Sequence, residues 1–185
     1  VVEVKPLAKA RHNMYAGFSV FGGANNYDTL DPVQVAGSLG LSFRMGGRIV
    51  DPFALGGQVH AIFSLARQSG SSGTILLEAS VFPLKKRDYT GLAFHIGVGA
   101  ISFTRREPDV NEGLIDFTQG RFVTTGGLAT MVGIGWDFWL QNNFNFGIHA
   151  RFDAGFTERP QAPTPDAGTR PLLWVPSLEL ALNWY

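Results

Sequence analysis

Residues 144–156 read FNFGIHARFDAGF. Phe144, Phe146, Ile148, Ala150, Phe152, Ala154 and Phe156 share one parity, while Asn145, Gly147, His149, Arg151, Asp153 and Gly155 share the other. Successive side chains of a pleated backbone point to opposite faces, so this unbroken period of two predicts a strand with one apolar and one polar face. Strands of soluble domains run about five or six residues, and this pattern lasts roughly twice as long.

The rest of the chain narrows what such a strand belongs to. Its 185 residues suffice for one substantial domain, and its formal charge of zero provides no basic stripe for nucleic acid. The absence of Cys excludes a disulfide framework and thiolate metal sites. No apolar run reaches the roughly 18 to 20 residues of a transmembrane helix. The opening segment VVEVKPLAKARHN lacks the apolar centre of an export signal.

Seven further segments alternate or nearly so: MYAGFSVFGG (14–23), VQVAGSLGLSFRM (33–45), LGGQVHAIFSLAR (55–67), TILLEASVF (74–82), GLAFHIGVGAISF (91–103), GLATMVGIGWDFWL (127–140) and LLWVPSLELALNWY (172–185). Most approach the roughly 9 to 11 residues that cross a bilayer at a tilt. The connectors GGRIVDP, PLKKRDYT and QNN are compact, whereas ANNYDTLDP, QSGSSG, REPDVNEGLIDFTQGR and TERPQAPTPDAGTRP are polar and in two cases long. Compact turns on one rim and longer loops on the other predict an all-β, eight-stranded, antiparallel up-and-down transmembrane barrel of a bacterial outer membrane. Residues 1–13 are then a periplasmic N-terminal arm and 14–185 the barrel, with both chain ends periplasmic. Closure follows from the solvent, because hydrocarbon cannot hydrogen-bond a free strand edge.

Parity assigns the two faces. Leu39, Leu41, Phe43, Val59, Phe63, Leu65, Leu92, Phe94, Ile96, Val98, Leu128, Val132 and Ile134 are expected on the lipid side, with Trp136, Trp174 and Trp184 as interface aromatics. The inward face carries Ser38, Gly40, Ser42, Gly97, Gly99, Gly133 and Gly135, small residues that suit a narrow lumen. A soluble barrel would have the opposite polarity.

The hairpin VGIGWDFWLQNNFNFGIHARFDAGF resembles the penultimate hairpin of small OmpA-like and opacity-type outer-membrane barrels: a Gly-rich strand, a short polar turn and a strand of alternating aromatics. The last strand, with Leu178, Leu180, Leu182, Trp184 and Tyr185, resembles the C-terminal signal read by the barrel-assembly machinery. Tyr185 departs from that signal by standing one step out of the outward phase. The resemblance implies contact with outer-membrane lipid and lipopolysaccharide, and with the assembly machinery during biogenesis.

Heights counted from the periplasmic rim bring His60, Glu78, His95, Asp137, His149, Arg151 and Glu179 close together, with Asp153 on the same inward face. Buried charges must be paired, so the leading expectation is a closing charge network with Arg151 between Glu179, Asp137 or Glu78. A metal site of His60, His95, His149 and a carboxylate is disfavoured, because those strands can hold the rings across the lumen from one another. Histidines titrating near neutral pH would instead suit a gated pore.

No metal or cofactor is therefore expected. Catalysis is not expected either, since Ser64 and Ser80 read as inward fillers and no serine stands beside a histidine in sequence. The expectation is a structural, anchoring or interaction barrel with its loops or N-terminal arm as recognition surface. A narrow channel is the alternative and a lipid-modifying enzyme the third reading. Lys85, Lys86 and Arg87 read as solvated charges at a membrane rim, and the Pro-rich RPQAPTPDAGTRP as a semi-rigid loop.

Overall fold

The computed structural model describes residues 14–27, 34–50, 52–65, 70–83, 91–111, 114–141, 144–157 and 172–184. The arm at 1–13, the basic turn at 85–87, the Pro-rich segment and Tyr185 lie outside the described residues. Each alternating segment forms a strand: β1 Met14–Tyr27, β2 Gln34–Val50, β3 Phe53–Ser64, β4 Ser71–Val81, β5 Gly91–Asn111, β6 Leu114–Gln141, β7 Phe144–Thr157 and β8 Leu172–Trp184. Neighbours in sequence pair antiparallel and β1 pairs with β8, which closes the barrel.

The register fixes the shape of the interior. A path perpendicular to the strands runs Phe18, Phe43, Val59, Ile75, Ala100, Leu128, Phe156, Leu172. Because Trp174 faces Asn26, Leu172 comes back to β1 at the level of position 28, ten residues from its start at 18. Eight strands about 4.8 Å apart with that offset tilt by about 40° and enclose a lumen of about 8 Å backbone radius, which side chains fill. The same tilt raises each successive strand, so residues equally far from a turn do not share a height.

The polarity is inverted relative to a soluble domain. Leu39, Val59, Ile75, Ile96, Leu128, Val132 and Leu178 are each at least half exposed on the outer wall. Arg44, Glu78, Asp137, Arg151, Asp153 and Glu179 are buried inside. An apolar exterior around a charged interior suits hydrocarbon outside, whereas water outside would leave an aggregating surface.

The structure carries strands into several expected connectors, including 24–27 at the end of β1 and 71–73 at the start of β4. The segment from Arg106 to Arg121, expected as a loop, largely continues β5 and β6 to an end pairing of Asn111 with Leu114, with a register shift between Glu107 and Asp109. Val110 pairs with Ile115 beyond Pro108, which sits at the irregularity where its missing N–H is tolerated. Likewise most of GGRIVDP is strand, since β2 runs to Val50 and β3 begins at Phe53. Gly91, with φ of 104°, opens β5 in a conformation that favours glycine.

Candidate functional site

The inward parity of all eight strands converges on a layered lumen. Toward the compact-turn rim lie Tyr15, Ala54, Phe82 and Ala93 together with buried Asp137, Asn145 and Asn183. Toward the other rim an apolar layer of Ile62, Ile101, Ala129, Leu173 and Val175 extends down to Phe21, Leu76 and Met131. Arg44, Glu78, Arg151, Asp153 and Glu179 lie between these layers, buried from bulk water.

Two arginines organise that middle layer. Arg44 hydrogen-bonds Glu179 through Nη2, and its Nη1 lies 3.8 Å from Glu78. Arg151 donates from Nε and Nη2 to both oxygens of Asp153 at 2.7 Å, a bidentate fork, and from Nη1 to Glu179 at 3.5 Å. Glu179 thus joins the two guanidinium groups. Arg151 also hydrogen-bonds His60 Nδ1 and sits 5.4 Å from the centroid of Phe21, whose ring meets the His60 ring at 6.1 Å. Gly40 makes room for Phe21: a Cβ there would run into the phenyl ring.

The eight residues expected in the network are all buried, and of the three carboxylates expected around Arg151 only Glu179 bonds to it. Arg151 reaches Glu179, whereas Asp137 accepts a hydrogen bond from His149 Nε2 at 3.1 Å and Glu78 faces Arg44 and His95. Arg44, 4% exposed, was missed although it continues the inward parity of Ser38, Gly40 and Ser42. Gln58, 1% exposed and donating to Ser42 Oγ at 3.1 Å, was missed in the same way.

Ser80 is more than a filler, because the β4–β5 register sets it opposite His95. Its hydroxyl lies 2.9 Å from Glu78 Oε1 and 2.9 Å from His95 Nδ1, which itself lies 3.0 Å from Glu78 Oε1. Serine and carboxylate therefore meet the same imidazole nitrogen, whereas a catalytic relay needs them on opposite nitrogens. The histidines do not converge as a trio: the His95 and His149 ring centroids are 5.0 Å apart, while His60 meets the Phe21 ring at a tilt and hydrogen-bonds Arg151. Among the described residues no group of three or more His, Cys, Asp or Glu is arranged to hold a metal ion.

On the outer wall Trp136 and Trp184 are exposed near the compact-turn rim, and the Trp184 ring lies 6.4 Å from that of Phe43. Trp174 is half-buried toward the opposite rim. Leu178, Leu180, Leu182 and Trp184 all point outward along β8.

No family model matches the chain, and no curated protein matches it. Solved structures do. Ail, the attachment invasion locus protein of Yersinia pestis, is similar with a TM-score of 0.57 at 10% identity, covering 94% of this chain and 99% of that one. Neisserial surface protein A follows with a TM-score of 0.55 at 10% identity, covering 94% and 97%. The N-terminal β-barrel domain of OprF from Pseudomonas aeruginosa has a TM-score of 0.50 at 13% identity, covering 91% and 96%. At these identities the likeness concerns the fold, which is that of small outer-membrane barrels.

Proposed function

We propose that this eight-stranded barrel sits in a bacterial outer membrane as a non-catalytic anchor whose lumen is closed to solutes, leaving its loops and N-terminal arm as the interaction surface. The observation that carries the reading is the linked set Arg44, Glu179, Arg151 and Asp153, buried between two apolar layers. Two of the spaces beside it, among the described residues, are voids of about 10 Å³ each, lined by residues that include Arg44 and His95. A void of that size holds about one water molecule and passes no hydrated ion. Ion pairs held in low dielectric lose several kcal/mol when separated, so brief opening is rare.

In this reading Trp136, Trp174 and Trp184 sit at the lipid interface, with lipopolysaccharide around the rim of the longer connections. Leu178, Leu180, Leu182, Trp184 and Tyr185 serve as the signal for the assembly machinery. The test is solute flux: liposomes carrying the refolded protein swell in arabinose no faster than protein-free liposomes. Swelling that rises with the amount of inserted protein would overturn closure.

A further inference from the structure

The two histidine–carboxylate pairs of the lumen leave unused polar atoms. Asp137 Oδ1 lies 3.1 Å from His149 Nε2, and His149 Nδ1 has no protein partner. His95 Nδ1–H points at Glu78 Oε1, so His95 Nε2 is the corresponding unpartnered atom on the second ring. Glu78 Oε2 and Gln58 Oε1 are two more acceptors without a protein partner, and Arg44 Nε is a donor in the same position.

All five side chains line one void of about 10 Å³, together with Gly133. Each is at most 8% exposed, so bulk solvent does not satisfy them. Five unpartnered polar atoms thus belong to side chains around a space for about one small molecule. Water both donates and accepts, so one molecule can bridge the two imidazoles, and it matches the size of the space.

The geometry points to a buried water site in this void that joins Asp137, His149, His95 and Glu78 into one hydrogen-bonded chain across the lumen. The site couples β6 and β7 to β4 and β5 at a level where His95 and His149 make no direct hydrogen bond to one another. It concerns bound solvent within the network and is separate from whether ions cross the barrel.

Gly133 supplies a test whose sign distinguishes a wet from a dry void. A Cβ at Gly133 would meet its nearest atoms, His95 Cβ and Ala150 O, at 3.5 and 3.6 Å, ordinary contact distances, so Gly133→Ala adds a methyl group to the wall without a clash. Gly73→Ala is the control for the backbone effect, since a Cβ there meets nothing within 4 Å. If a bridging water occupies the void, the methyl group displaces it and Gly133→Ala unfolds at a lower denaturant midpoint than Gly73→Ala. An equal or higher midpoint would mean a dry void and overturn the inference. Should Gly133→Ala fail to fold, the wild type decides by NMR in nanodiscs. Magnetisation transfer from water to carbon-bound imidazole protons of both His95 and His149 supports the site, and transfer to one ring or neither overturns it.

Discussion

Arg44 illustrates how a single inward cation ties distant parts of the chain together. It stands on β2, yet it answers carboxylates on β4 and β8. Replacing it by alanine leaves Glu78 and Glu179 buried without that charge, and breaking a buried pair from one side costs about 3–5 kcal/mol. Arg44→Ala is therefore expected to lower the unfolding free energy by about that amount in reversible urea titrations in lipid vesicles. Arg44→Met combined with Glu179→Leu should lose much less, since both charges leave together; equal losses would count against the pairing. Arg44 shares the inward parity of Ser38, Gly40 and Ser42, but parity does not reveal its partners. These depend on the ten-residue offset around the barrel, which sets β8 against β1 and was not readable from any single strand. The same limit explains why Ser80 and His95 were read separately although they face each other across β4 and β5.

At the scale of the strands, alternation carries nearly all of the information. On β4 the burial pattern is strict from Ser71 to Glu78, and FNFGIHARFDAGF is laid out in β7 as its parity requires. What alternation missed was extent. Pro108 and the acidic residues around it read as loop, yet β5 and β6 continue pairing beyond them to Asn111 and Leu114. Where parity is clear, it yields a sharp test of which side meets lipid. Val132, 51% exposed, points outward at mid-height, and Val132→Arg is expected to cost about 2–4 kcal/mol of folding stability in a bilayer. The same substitution should be nearly neutral if the outer wall faced water. Unfolding titrations of the two proteins in matched vesicles would separate these cases.

The whole molecule is a tilted cylinder whose width is set by strand number and register, and whose interior is filled rather than hollow. Apolar layers toward both rims isolate the ionised middle, and the outer wall supplies the contact with lipid. The reading of a closed anchor rests on the strength of that middle layer, so the most direct test is electrical. In planar bilayers at neutral pH the refolded wild type is expected to show no single-channel openings, while Arg44→Ala combined with Arg151→Ala gives small, unstable ones. Steady unitary currents from the wild type would contradict the account and make the lumen a conducting path.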